Sequence, residues 1–278
     1  MTDFSLFPVM TDFERRLPLY LTSLGGWTHQ PDMDRPGGYP DYQWLQVTSG
    51  TGVLRVGQRE LTVGPSQGML LMPGEAHAYH AIEAPWGVRW ATFNGPRAAE
   101  MLRDLQLART QALYLGNPDV ALKHLQEMGS QLQAPHPTTA LETSAALYRL
   151  LLDLYRYGSP TELRSRKQQM DALAPVLAHL ETHYSRAITL PELAGLLGVS
   201  PQHICVLFQQ ALGVRPIEYL TRIRIRKAKE LLLREPDAEV KRVAASVGYE
   251  HPSYFIKRFK QLEGVTPVLF RRIHRNRM

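Results

Sequence analysis

From residue 39 to residue 93, apolar and polar positions alternate in short runs, each closed by glycine or proline. Residues 42–47, 53–56, 60–63, 69–72 and 88–93 have the β-branched, aromatic and alternating character of strands. The breaks at 48–52, 57–58, 64–68 and 73–74 are rich in residues that favour turns. Short strands spaced so evenly predict an antiparallel sandwich or barrel. After Pro96 the apolar period lengthens, and residues 98–107, 118–132 and 138–157 read as helices. In the last of these, Leu141, Ala145, Tyr148, Leu152 and Tyr155 recur along one helical seam, with Leu147, Leu151 and Leu154 beside it. That stripe is broad enough to pack on the barrel and also to pair with a second copy of the chain, so a homodimer is expected.

Residues 158–169 are polar, contain Gly158 and Pro160, and lack apolar periodicity, which marks a linker. The predicted class is α+β: an antiparallel β-barrel with flanking helices over 1–157, then an all-α domain over 170–278. Within the all-α domain a single layout occurs twice. Residues 190–197 form a short apolar helix, Gly198-Val199-Ser200 a turn, and 201–212 a second helix stopped by Gly213. Residues 240–247, then Gly248-Tyr249-Glu250, then 251–262 before Gly264 repeat it. A helix, a short turn opened by glycine and another helix is the helix-turn-helix signature. Gly198 and Gly248 stand where a positive φ is needed, Ser200 can cap the following helix, and Pro201 and Pro252 suit its start.

The apolar positions of each second helix define an outer face. With Ile204, Leu207, Phe208 and Leu212 inward, Gln202, His203, Cys205, Val206 and Gln209 face out. With Tyr254, Phe255, Phe259 and Leu262 inward, His251, Ser253, Ile256, Lys257 and Lys260 face out. Gln, Lys and His side chains reach base edges or phosphates, and apolar tips meet thymine methyl groups. Residues 216–234 between the two units read as a basic helix with a stripe of Tyr219, Leu220, Ile223, Ala228 and Leu231. A helix of about 18 residues is roughly 27 Å long, which suits two recognition helices set about one DNA turn, ~34 Å, apart.

Charge agrees with this division. Residues 1–163 hold 12 Lys and Arg against 16 Asp and Glu, net −4, whereas 164–278 hold 20 against 10, net +10. The basic half is the one expected to meet a polyanion, double-stranded DNA. The single cysteine, Cys205, rules out an internal disulfide and a multi-cysteine zinc site. The N-terminus has no secretory pattern and no segment approaches the roughly 20 apolar residues of a membrane span, so a cytoplasmic protein without membrane contact is expected.

The run from Val243 to Lys260, with Ala244, Gly248, Ser253-Tyr254-Phe255 and Phe259-Lys260, continues through Gly264, Thr266-Pro267 and Phe270-Arg271. It resembles the second helix-turn-helix of the AraC/XylS family of bacterial transcription regulators, and Leu193-Ala194 to Phe208 and Gly213 is similar to the first. The resemblance implies that Gln202, Cys205 and Val206 face bases in one groove, and His251, Pro252, Ser253, Ile256 and Lys257 in the other. Asp34-Arg35-Pro36, Tyr39-Pro40-Asp41-Tyr42, Ser49–Gly52, Pro73–Tyr79 and Trp86–Gly95 resemble the cupin-type sensor barrel of sugar-responsive members. This implies a small-molecule effector inside the barrel, a mono- or oligosaccharide, and RNA polymerase as a further partner if the protein activates.

An aromatic-lined cavity with a few fixed polar groups suits a sugar, and Arg35, His77, Tyr79, Trp86 and Trp90 are the expected effector-binding residues. The alternative is a metal-dependent cupin enzyme fused to DNA-binding helices, using His77, His80 and Glu83. On a strand, residues three apart face opposite sides, and no histidine follows between Val88 and Gly95. No metal ligand, catalytic residue or cofactor is therefore assigned.

Overall fold

A computed structural model describes residues 3–160 and 165–275. The chain separates into two compact units between Gln168 and Gln169.

Among the described residues, the first unit is built on nine antiparallel strands: β1 (Phe4–Leu6), β2 (Tyr20–Trp27), β3 (Met33–Arg35), β4 (Tyr42–Val56), β5 (Arg59–Val63), β6 (Gln67–Leu71), β7 (His77–Asn94), β8 (Gln111–Leu115) and β9 (Gly158–Ser159). Their order is β1-β2-β7-β4-β6-β8-β9, with β3 joined to β7 and β5 to β4. The long strands β4 and β7 pair with each other from Tyr42↔Phe93 to Arg55↔Ala78 and so belong to both halves of a cupin-like barrel. The expected turn at 48–52 is instead a set of bulges inside β4, where the register on β7 shifts three times. Gly50, at φ +68°, permits this: a Cβ there would lie 2.3 Å from the Pro85 carbonyl oxygen. The strand bends without reversing.

Both faces are covered where β4 and β7 run through 43–47 and 91–93, so that Gln43 and Gln46 are buried along with Trp44, Leu45 and Val47. Leu45, Val47 and Val88 point into the barrel with Val63, Met69 and Tyr79. Trp44, Ala91 and Phe93 point the other way, onto α1 (Ala98–Asp104), α2 (Pro118–Gln133) and α3 (Thr139–Tyr157). The apolar seam of α3 splits accordingly. Ala146, Leu147, Leu150, Leu151 and Leu154 are buried against the sheet, while Leu141, Tyr148 and Leu152 are 43%, 43% and 38% exposed. His124 on α2 lies 2.8 Å from Asp153 on α3, and Arg149 lies 2.8 Å from Glu127, tying the two helices together.

The polar stretch 158–169 holds more structure than a bare linker. Gly158 and Ser159 pair with Leu115 and Tyr114, and α4 (Arg166–Ala172) starts within it; residues 161–164 lie outside the described residues.

The second unit is all helix: α5 (Ala174–His183), α6 (Leu190–Gly195), α7 (Pro201–Leu212), α8 (Pro216–Arg234), α9 (Val240–Ser246), α10 (Pro252–Glu263) and α11 (Pro267–Arg275). It has two cores, one for each helix-turn-helix, and α8 serves both. Leu220 and Ile223 enter the first with Leu193, Ala194, Ile204 and Phe208. Ile225, Ala228 and Leu232 enter the second with Val243, Ala244, Phe255 and Phe259.

Candidate nucleic-acid interface and ligand cavity

The local chemistry that stops and restarts each helix sets the attitude of α7 and α10. Gly198 and Gly248 have φ of +64° and +86°. The Ser200 hydroxyl accepts from the His203 N–H at 3.1 Å, and Thr189 caps α6 by accepting from Glu192. Gly248 has a second constraint: a Cβ would meet the Ser185 and Tyr184 carbonyl oxygens at 2.8 and 2.9 Å. Arg224 closes the same spot, donating to the Tyr184 and Arg186 carbonyls at 2.7 and 2.8 Å. This satisfies carbonyls left over at the end of α5. In the second half Arg271 does comparable work on the Pro236 and Ala238 carbonyls, both at 2.7 Å.

On α7, Gln202, His203, Val206 and Gln209 are exposed, and Cys205 is half-buried against the first core. On α10, Ser253, Ile256, Lys257 and Lys260 are exposed, as is His251 just before it, while Pro252 is half-buried at the helix start. Two residues expected inward are not. Tyr254 is 54% exposed and Leu262 37% exposed. Phe255 and Phe259, one turn apart, take the buried seam and meet edge to face at 5.7 Å. Tyr254, a residue before Phe255, is then rotated about 100° away and rests beside the Tyr249 ring.

The positive charge of this unit has two kinds of owner. On α8, Arg222, Arg226, Lys227 and Lys229 are bound to Glu218, Glu181, Glu230 and Glu263. Lys257 and Lys260 on α10 form no ion pair among the described residues. In the first half, Arg186 and His179 hold the Glu192 carboxyl well below the usual range, at about 2. Lys257 and Lys260 thus leave two exposed charges, unpaired among the described residues, on the outer face of α10.

In the first unit a cavity of about 210 Å³ opens between β2, β3, β4 and β7, lined by Ser23, Trp27, Gln30, Met33, Arg35, Tyr39, Gln43, Leu45, Tyr79, Trp90 and Thr92, with Phe7 at its edge. Arg35, Tyr79 and Trp90 are among the five residues singled out from the sequence; His77 and Trp86 do not line it. Trp86 is 1% exposed, edge-on to Tyr79, with its indole lying on Gly52. His77 is 4% exposed and stacks at 6.1 Å on Tyr79. Its Nδ1–H donates to the Glu75 carbonyl at 2.8 Å, which leaves Nε2 buried and unpartnered.

Sequence reasoning missed Ser23, Gln30, Gln43 and Thr92. A bulge in β2 between Leu21 and Ser23 turns consecutive hydroxyls toward one partner, so Thr22 and Ser23 lie 2.6 and 2.7 Å from the Thr92 hydroxyl. Trp90 stands opposite Gly25, where a Cβ would lie 2.2 Å from its ring. That gap lets the indole lie back on β2 and stack with Trp27 at 5.9 Å. His80 and Glu83 also sit on β7, the latter accepting from Thr51 at 3.2 Å. Among the described residues, no three metal-ligating side chains come together.

Burial pushes the His77 imidazole below its ordinary 6.5. The unfolded chain takes up a proton near that pH which the folded barrel refuses, so stability is lost as the pH falls below about 6.5. The melting temperature of the first unit is expected to drop between about pH 7 and pH 5, and to drop less in His77→Gln. Equal losses in both proteins would assign the effect to another group.

No helix among the described residues is long and apolar enough to cross a membrane. Residues 25–151 match the AraC-like ligand binding domain, and residues 193–273 match a helix-turn-helix domain. The HTH-type transcriptional regulator YisR of Bacillus subtilis is 38% identical over 95 residues, 34% of this chain and 33% of that one. The MmsAB operon regulatory protein of Pseudomonas aeruginosa is 26% identical over 260 residues, 91% and 82% of the two chains. The raffinose operon transcriptional regulatory protein RafR of Pediococcus pentosaceus is 25% identical over 232 residues, 81% and 83% of the two. With a ligand-binding domain ahead of a helix-turn-helix domain, and operon regulators similar over most of its length, the chain belongs to the AraC family of DNA-binding transcriptional regulators.

Proposed function

We propose that the chain is a sequence-specific regulator, that α7 and α10 enter successive major grooves of an operator, and that a small sugar in the barrel controls this binding. The observation that carries the reading is the cavity. Aromatic faces of Trp27, Trp90 and Tyr79 and neutral hydrogen-bonding groups of Ser23, Gln30, Gln43 and Thr92 share one small space. Sugars need both, a flat apolar surface for their C–H faces and partners for their hydroxyls. The raffinose operon regulator among the relatives supports a carbohydrate effector. The protein works where its DNA is, in the cytoplasm, and as an activator it would also meet RNA polymerase.

Footprinting of the full chain on DNA from upstream of its own gene, with a panel of sugars, tests the reading. Two protected segments about one helical turn apart, altered by one sugar, are expected. Protection without position, or protection that no sugar changes, would contradict it.

The exposed seam of α3 is the proposed dimer contact. Leu141, Ala145, Tyr148 and Leu152 lie exposed on one face, beside leucines already used by the barrel. Introducing a charge with Leu152→Glu is expected to shift the protein from dimer to monomer in sedimentation, leaving the fold of the first unit intact. An unchanged dimer would place the contact elsewhere.

A further inference from the structure

We infer that the ligand of the barrel cavity is a single-ring sugar acid, bound through its carboxylate to Arg35; this rests on the cavity being the effector site. Size comes first. The cavity holds about 210 Å³, below the ~300 Å³ at which pockets for drug-sized ligands begin. That is room inside the barrel for one ring and its substituents.

Charge comes second. Arg35 is the one ionised side chain among the residues that line the space, and no Asp or Glu is among them. Among the described residues, it forms no ion pair. Its guanidinium lies 4.4 Å over the Tyr39 ring and donates one N–H to the Gln43 Oε1 at 2.8 Å. The stack and that bond fix the plane of the fork, and a guanidinium has five N–H donors in all. A held, half-buried Arg with donors to spare matches the two oxygens of a carboxylate. A neutral ligand filling the same space would strip water from the cation and return no counter-charge.

The rest of the lining suits the remainder of a sugar. Trp27 and Trp90, stacked at 5.9 Å, present ring faces. Gln30 commits its amide N–H to the Pro31 carbonyl at 3.0 Å, leaving its oxygen to accept from a hydroxyl. The Ser23–Thr92 pair supplies rotatable hydroxyls. His77, the cross-strand neighbour of Arg35, does not line the cavity, and burial pushes its imidazole below its ordinary range.

The test is tryptophan fluorescence and calorimetric titration of the full chain with D-galacturonate, D-glucuronate, D-galactose, D-glucose and raffinose. One of the acids is expected to bind about tenfold or more tightly than its neutral counterpart, with raffinose failing to compete. Arg35→Gln should abolish the preference for acid, and Arg35→Lys, which keeps the charge without the fork, should restore some of it. Should both Arg35 variants fail to fold, the ranking of ligands on the unaltered chain still decides. A neutral monosaccharide that binds as tightly as its acid, or raffinose binding, overturns the inference and leaves the cavity as a sugar site. Failure of every monosaccharide to bind or to perturb fluorescence removes the sugar reading of the cavity along with it.

Discussion

Phe255→Ala is expected to destabilise the second unit by about 3–5 kcal/mol, the range for emptying a buried phenylalanine site. Phe255 is fully buried, 5.3 Å from the Tyr249 ring and 5.7 Å from Phe259, which in turn lies edge to face with Phe270. Removing it opens the core that sets α10 on α8 and α9. A domain of this size is stable by about 5–15 kcal/mol, so the loss is a large share of the total. In a unit of about 100 residues it should lower the melting temperature by roughly 12 °C or more. The neighbouring Tyr254→Ala, by contrast, should cost about 1 kcal/mol or less, because a side chain 54% exposed leaves little cavity. Thermal denaturation of the two variants measures the rotation of α10 directly. Equal losses would mean that both rings point inward and that the exposed face is wrongly drawn.

The second large effect concerns DNA. Lys257 and Lys260 are expected to contact phosphates, since they are exposed and unpaired among the described residues, unlike the lysines and arginines of α8. Lys257→Ala with Lys260→Ala should weaken binding to all sequences and flatten the plot of log affinity against log salt by about 0.9 per lost phosphate contact. Gln202→Ala should act differently. It should relax the preference at one base pair by about 1–3 kcal/mol, a factor of roughly 5 to 150, and leave the salt slope alone. Fluorescence anisotropy over a salt series separates the two patterns. Were Gln202→Ala to change the slope and the lysine pair to change sequence preference, the assignment of reading and anchoring residues would be reversed.

The helix-turn-helix halves were legible in the sequence because their signals are local. Gly198, Ser200, Pro201 and Gly248 each act within a few residues, through a positive φ, a cap or a fixed dihedral. Tyr254 was misplaced because adjacent aromatics at a 3.6-residue period leave the buried seam ambiguous by one position. The barrel was legible as a class but not in detail. β2 went unread because Gly25 and Gly26 interrupt its pattern, yet Gly25 is there to admit the Trp90 ring from the partner strand. The bulges of β4 looked like a turn, since glycine serves both. The cavity was the least legible feature. Ser23, Gln43 and Thr92 come from three different strands and, taken singly, look like solvent-facing positions. Trp86 does not line this cavity: alternation does not say which end of a barrel a tryptophan fills, and the space above Gly52 decides that.

Coupling between cavity and DNA is tested by operator affinity measured with and without the bound sugar, in the unaltered chain and in Trp90→Ala. A ligand-dependent change of roughly 5- to 150-fold, the usual range for coupled sites, is expected in the unaltered chain and should disappear in the variant while affinity without ligand is kept. An operator affinity indifferent to the ligand in the unaltered chain, or a change that survives loss of Trp90, would contradict it.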